Sequence, residues 1–156
     1  MAIFCTETAC RACGGEDLAP ILSFGASPLA DRLLRADQLA EPDVAVPLTV
    51  VFCPACSLVQ IAETVEPEVL FGGDYPYFSS VSGTLLAHSR ANAEELIERC
   101  QLGPRSLVVE IASNDGYLLK NFVARGIPVL GIDPAPAPAA AAVAAGVRTL
   151  NAFFSK

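Results

Sequence analysis

The chain is poor in several residue types on which particular functions depend. Its 156 residues include no tryptophan and only one histidine, and 10 lysines and arginines stand against 17 aspartates and glutamates. The resulting net charge of −7 argues against a nucleic-acid-binding protein, which needs a basic face. Although 53% of the residues are hydrophobic, no uninterrupted apolar run reaches the ~18 residues of a transmembrane helix. We therefore expect neither a nucleic-acid partner nor a membrane span.

The first residues, Met-Ala-Ile-Phe-Cys-Thr-Glu, also lack the basic start and the long apolar stretch of a secretory signal. We therefore expect a cytoplasmic protein. In that reducing compartment the six cysteines stay as thiols or bind a metal, and disulfides are not expected.

Composition predicts three regions. Residues 1–70 carry ten acids, three arginines and two close cysteine pairs, and frequent prolines divide them into short elements, which is typical of a small zinc-binding domain. Residues 71–104 combine a turn-rich linker with an amphipathic helix from Thr84 to about Gln101, ended by Gly103-Pro104. Residues 105–156 alternate between apolar runs and helical patterns.

That alternation predicts an α/β fold. The order is strand, helix, strand, helix, strand, over residues 106–111, 117–125, 128–132, 139–145 and 147–150. It corresponds to the first half (β-α-β-α-β) of a Rossmann-like, doubly wound parallel sheet. The Ala/Pro-rich residues 134–145 could instead be a flexible linker, but alanine favours a helix and the two strands need a crossover.

Two Cys-x-x-Cys pairs carry the clearest chemical signal, Cys10 with Cys13 and Cys53 with Cys56. The second pair lies between two strand-like runs, 48–52 and 58–61, and therefore at a hairpin turn. Four thiolates predict a closed, structural zinc site. Iron in the same site and a redox-active pair remain as alternatives. Cys5 and Cys100 are expected to be unliganded thiols.

A second signal follows the strand 106–111, in the segment Glu110-Ile-Ala-Ser-Asn-Asp-Gly116. Small residues between a strand and a helix let a ligand approach the backbone, and free amides at the helix start can bind it. Glu110 suits a cationic amino group, and Asp133, at the end of the next strand, suits a ribose diol. The two acids point to S-adenosylmethionine. An NAD site lacks its glycine fingerprint here, and a turn without any ligand is the remaining alternative.

Five segments in order resemble the zinc-binding C-methyltransferase family: residues 10–15, 25–31, 53–60, 75–80 and 108–120. Members of this family include S-adenosylmethionine-dependent 3-C-methyltransferases of nucleotide-linked 4-keto-deoxysugars. The resemblance implies zinc ligation by the four cysteines of the two pairs. It also implies a cofactor site formed by Tyr77, Ser79, Ser80, Glu110, Ala112, Asn114, Asp115, Gly116 and Asp133.

The resemblance implies a reaction as well: a proton leaves the carbon next to the ketone, and the enolate attacks the activated methyl group. Tyr75 falls where the family has a tyrosine near the sugar, and His88 is a second candidate catalytic residue. Family members continue past residue 156, so we expect a separately encoded C-terminal portion and do not expect these residues to catalyse alone. The alternative function is a non-catalytic zinc-binding interaction module with a remnant cofactor fold.

Overall fold

A computed structural model describes residues 3–73 and 75–154. The chain divides into two compact units that meet between Leu70 and Phe71. The first unit contains strands β1 (Phe4–Thr6), β2 (Ala19–Pro28), β3 (Ala45–Phe52), β4 (Val59–Ile61) and β5 (Glu63–Val65). Helix α1 (Pro67–Phe71) spans the division. The second unit contains α2 (Gly83–Arg99), β6 (Val108–Ile111), α3 (Leu119–Val123), β7 (Val129–Asp133), α4 (Pro136–Ala144) and β8 (Thr149–Asn151).

The first unit is built from two small antiparallel sheets, one of order β2-β3-β4 and one that pairs β1 with β5. The predicted hairpin is confirmed, because Phe52 of β3 pairs with Val59 of β4 across the second cysteine pair. Of the described residues of this unit, the buried hydrophobic ones are few: Cys10, Val46, Val51, Cys53 and Ala62. A core this small needs a further source of stability, such as a metal.

The second unit contains a parallel sheet of order β6-β7-β8. This order confirms the predicted β-α-β-α-β pattern as part of a Rossmann-like fold. The predicted helix at 139–145 is confirmed as well, and it begins earlier, at Pro136, because proline is tolerated in the first turn of a helix. The core of the unit packs α2, α3 and α4 against β7, through Ala93, Leu119, Phe122, Ile127, Val129, Ala142 and Val147.

Helix α2 begins at the cap residue Ser82, whose hydroxyl accepts a hydrogen bond from the backbone N–H of Leu85 at 3.2 Å. It ends at Arg99, within two residues of the predicted end. Helix α3 is shorter than the predicted 117–125. It begins at Leu119 because the preceding residues form a turn, in which Gly116 donates to the carbonyl of Ser113.

One face of the parallel sheet is apolar and exposed. Val109 and Ile111 of β6 and Leu150 of β8 are each about half exposed, at 49%, 53% and 49%. The strand register places them beside Leu130 and Ile132 of β7 on the same face. Parallel sheets are normally covered on both faces, so this face is suited to packing against further polypeptide. No helix in the described part of the chain is long and apolar enough to cross a bilayer.

Candidate metal centre and cofactor turn

The four cysteines of the two pairs come together in the first unit. The Sγ atoms of Cys10, Cys13, Cys53 and Cys56 all lie within 4.8 Å of one another. Cys10 Sγ is 3.5 Å from Cys56 Sγ, and Cys13 Sγ is 3.6 Å from Cys53 Sγ. Four sulfurs around a tetrahedral zinc ion, each 2.3 Å from it, would be about 3.8 Å apart. The residues present therefore fit a zinc ion.

The acidities of the thiols also favour a cation at this position. Backbone N–H groups of Cys13 and Ala12 lower the pKa of Cys10 to about 6. At Cys56 the backbone N–H of Leu58 lowers the pKa. The neighbouring sulfurs of Cys10 and Cys13 act in the opposite direction and outweigh it, so that the pKa is raised to about 12. Without a cation the cluster therefore resists a second negative charge, and a bound divalent ion removes that resistance.

The two cysteine turns have the same backbone form. The N–H of Gly14 donates to the carbonyl of Cys10 at 2.9 Å, and the N–H of Ser57 donates to the carbonyl of Cys53 at 2.8 Å. Gly14 and Ser57, each directly after the second cysteine of its pair, both adopt left-handed conformations, with φ of 74° and 64°. The second turn therefore places a serine where the backbone favours glycine.

In the second unit, the segment after β6 forms a tight turn at the carboxyl end of the parallel sheet. Ala112, Asn114 and Gly116 all have left-handed φ angles, of 60°, 49° and 77°. Gly116 has no room for a side chain, because a Cβ atom there would lie 2.9 Å from Val147 Cγ2 and 3.3 Å from Ala142 Cβ. The turn is therefore fixed by close packing of Gly116 against Val147 and Ala142 of the core.

Asp133 anchors this turn from the end of β7. It is 5% exposed, and its two carboxylate oxygens accept hydrogen bonds from the backbone N–H groups of Asn114, at 2.7 Å, and Ala135, at 2.9 Å. Each carboxylate oxygen can accept a second hydrogen bond, so this arrangement is compatible with a ligand hydroxyl at Asp133.

The segment 77–80 lies against the same turn. Asn114 accepts a hydrogen bond from the N–H of Ser79 at 2.8 Å and donates one to the carbonyl of Tyr77 at 3.1 Å. Asp115 accepts from the N–H of Ser80 at 3.0 Å. The structure thus brings together Tyr77, Ser79 and Ser80 with the turn. The side-chain amide of Asn114 thus binds the backbone of segment 77–80.

Glu110 has a carboxylate oxygen, Oε2, that is buried and has no hydrogen-bond partner among the described residues. Burial, together with the charge of Asp133, raises the pKa of Glu110 to about 7. Burial, followed by the charge of Glu110, also raises the pKa of Tyr117. A buried carboxylate without a partner is unfavourable, so this position is suited to a cationic ligand group.

The two candidate catalytic residues are Tyr75 and His88. Tyr75 is half-buried, and its ring packs edge-on against Phe71, with ring centroids 5.6 Å apart. His88 is exposed on α2, and it takes no part in the hydrogen bonds between segment 77–80 and the turn. Cys5 and Cys100 are exposed, and neither belongs to the cluster of four cysteines.

Sequence reasoning did not single out several residues that the structure places at these sites. Ser113 is completely buried within the turn, and its hydroxyl would collide with a side chain at Gly131 of β7. Arg11 and Gln60 connect the first cysteine turn to the strands β4 and β5. A glycine inside a buried strand is the one sequence signal of close approach that could have pointed to Ser113.

Comparison with known proteins defines the class of the first unit. Residues 10–71 match the model of a family described as "Putative zinc binding domain". The match includes all four clustered cysteines.

A second comparison extends to the rest of the chain. Over 146 residues, 94% of its length, the chain is 40% identical to a curated protein named C-methyltransferase NovU from Streptomyces niveus. The chain spans about a third of the length of that relative, 34%. The two matches together confirm the resemblance to zinc-binding C-methyltransferases.

Proposed function

We propose that this chain is part of an S-adenosylmethionine-dependent C-methyltransferase that acts on the carbon next to the ketone of a nucleotide-linked 4-keto-deoxysugar. The name of the Streptomyces niveus relative supports the methyltransferase class, and the substrate class rests on the motif resemblance. The structural observation that carries the cofactor proposal is the unpartnered, buried Oε2 of Glu110 at the carboxyl end of β6.

The described residues fit this cofactor at several points. Glu110 would accept a hydrogen bond from its amino group, and Asp133, at the end of the neighbouring strand, would accept from its ribose hydroxyls. Ala112 leaves the exposed backbone of the turn without a bulky side chain, so that a ligand can approach it, and Gly116 lets the turn pack closely on Val147. When bound, the cofactor would supply a methyl group that an aligned carbon nucleophile can attack.

Segment 77–80 would form one wall of the same site, because its backbone is fixed to Asn114 and Asp115. Tyr75 is proposed to hydrogen-bond an oxygen of the sugar through its phenol, and His88 remains a weaker candidate base. We infer that zinc has a structural role, because four cysteine ligands leave no open coordination position. Metal-bound and free thiols together favour a cytoplasmic location.

We also propose that the exposed apolar face of the parallel sheet packs against polypeptide from the remaining part of such a methyltransferase. The face consists of Val109, Ile111, Leu130, Ile132 and Leu150. The relative is about three times as long as the stretch that matches this chain, which leaves enough polypeptide for that purpose. The extra segment would cover the face and complete the cofactor site.

Calorimetric titration with S-adenosylhomocysteine tests the proposal. The chain would be fused to the unmatched part of the Streptomyces niveus relative, and we expect binding by the fused protein and at least tenfold weaker binding by Glu110→Gln. Glu98→Gln, which changes an exposed glutamate on α2, is the matched control and should bind normally. If the folded fusion with bound zinc has no affinity for the cofactor product, the chain is better explained as a zinc-binding interaction module.

A further inference from the structure

Arg11 lies between the cysteines of the first pair and makes hydrogen bonds to the strands that follow the second pair. Its guanidinium donates to the carbonyl of Ile61 at 2.6 Å, the carbonyl of Glu63 at 3.2 Å and the hydroxyl of Thr64 at 2.6 Å. Its backbone N–H donates to Oε1 of Gln60 at 3.0 Å. Four hydrogen bonds therefore come from one residue, across about 50 positions of sequence.

These hydrogen bonds add to a connection that the preceding residues already make, because β1 pairs with β5 and the N–H of Glu7 donates to the carbonyl of Ala62 at 2.7 Å. The turn at residues 10–15 closes on itself, since Cys10 donates to Gly15 and Gly14 donates to Cys10. Within the described residues, the hydrogen bonds that join this turn to β4 and β5 all come from Arg11. Arg11 therefore fixes the turn itself against these strands, while the β1–β5 pairing fixes the residues that lead into it.

The second cysteine pair is placed in a different way. Cys53 and Cys56 lie in the connection of the β3–β4 hairpin, and Cys53 donates to the carbonyl of Leu58 at 2.8 Å. The ladder between the two strands holds this turn. The two halves of the sulfur cluster thus have different supports. The hairpin holds one, and Arg11, next to the β1–β5 pairing, holds the other.

The geometry points to Arg11 as the positioning residue of the metal centre, which holds Cys10 and Cys13 at the separation from Cys53 and Cys56 that one metal ion requires. Gln60, only 8% exposed, helps to hold Arg11 in place by accepting a hydrogen bond from its backbone N–H. Groups that orient ligands without binding the metal commonly change metal affinity 10- to 100-fold. This inference concerns the metal centre alone, and it does not depend on the proposed methyl transfer.

The chemistry of the side chain explains why arginine suits this position. Its three acceptors lie on Ile61, Glu63 and Thr64, in two successive strands. A guanidinium presents five N–H donors in a fixed planar fork, whereas a lysine ammonium is a compact charge on a flexible stem. Arg11→Lys should therefore retain only part of the hydrogen bonding that positions the turn.

The test measures metal release from the zinc-loaded full chain. Transfer of zinc to an excess of a chelating dye gives the dissociation rate, and competition with the same dye gives the affinity. We expect Arg11→Ala to weaken zinc binding 10- to 100-fold and Arg11→Lys to have an intermediate effect. Arg35→Ala is the matched control, because the Arg35 guanidinium forms an exposed ion pair with Asp37, at 3.4 Å, and this variant should release zinc at the wild-type rate.

A second control separates positioning from general destabilisation. Val46→Ala removes a buried side chain of the same unit, which is 4% exposed and is not a metal ligand. For an equal loss in melting temperature, Arg11→Ala should release zinc at least five times faster than Val46→Ala. Cobalt loading adds a spectroscopic measure, since a displaced thiolate changes the visible absorption. Equal release rates for the two variants, or an unchanged affinity in Arg11→Ala, would overturn the inference.

Discussion

Ser57→Gly should stabilise the zinc-binding unit. Ser57 follows the second cysteine pair and has φ of 64°, the same left-handed conformation that Gly14 adopts after the first pair, at 74°. A left-handed conformation costs a residue with a side chain about 1–2 kcal/mol. Glycine relieves this strain, but it also increases the entropy of the unfolded chain, by about 0.5–1 kcal/mol.

The difference gives an expected stabilisation of about 0.5–1 kcal/mol. For a unit of this size, that corresponds to a rise in melting temperature of roughly 2–8 °C. The assay is thermal unfolding of the zinc-loaded chain, followed by far-ultraviolet circular dichroism and by the absorption of a cobalt-loaded sample, which reports on the first unit alone.

The reverse substitution, Gly14→Ser, is the matched partner. No atom lies within 4 Å of a Cβ placed at Gly14, so the new side chain meets no obstacle and only the backbone conformation is tested. We expect a loss of stability similar in size to the gain at Ser57. A decrease in melting temperature for Ser57→Gly, or no change in both variants, would refute the reasoning from the backbone conformation.

The remaining predictions concern Glu110, Gly116 and the metal. Because the pKa of Glu110 is raised from 4.5 to about 7, the folded chain retains a proton between these values, and stability should fall as the pH rises from about 4.5 to 7. Glu110→Gln should remove this pH dependence of the free energy of unfolding, which we expect to amount to about 1 kcal/mol because solvent screens the partly exposed group. Chemical denaturation at several pH values measures it. Gly116→Ala should destabilise the second unit by about 2–4 kcal/mol, because the new Cβ would sit on a left-handed backbone and lie 2.9 and 3.1 Å from atoms of Val147. A wild-type midpoint in denaturant unfolding would contradict this packing argument. Removal of zinc with a strong chelator should unfold the first unit and leave the second folded, as amide hydrogen exchange can show; elemental analysis should find about one zinc per chain.

Features that arise from local sequence were predictable. The spacing of the cysteine pairs and the strands around Cys53 and Cys56 placed the metal ligands. The periodicity of residues 106–150 predicted the order of the second unit, including α4, where alanine content outweighed the prolines at its start. The alternation of strands and helices was enough to predict a parallel sheet.

Features that depend on distant parts of the chain were not predictable in this way. Strand β2 was missed because Pro20, Gly25 and Pro28 interrupt its pattern and because it is exposed along almost its whole length. It forms as an edge strand paired with β3, where proline is tolerated. Arg11 was missed because its hydrogen-bond acceptors lie about 50 residues away, and no local pattern marks such a partnership.

The wide separation of the two cysteine pairs has a consequence for the topology of the chain. Cys13 and Cys53 are 40 positions apart, so a metal ion held by both pairs closes a loop that contains the whole of β2. In chain-entropy terms a cross-link around a loop of this length stabilises the folded state by about 4 kcal/mol. The ion would thus act as a removable counterpart of a disulfide bond, and its loss would remove this constraint from both strands of the loop, β2 and β3, as well as from the four sulfurs.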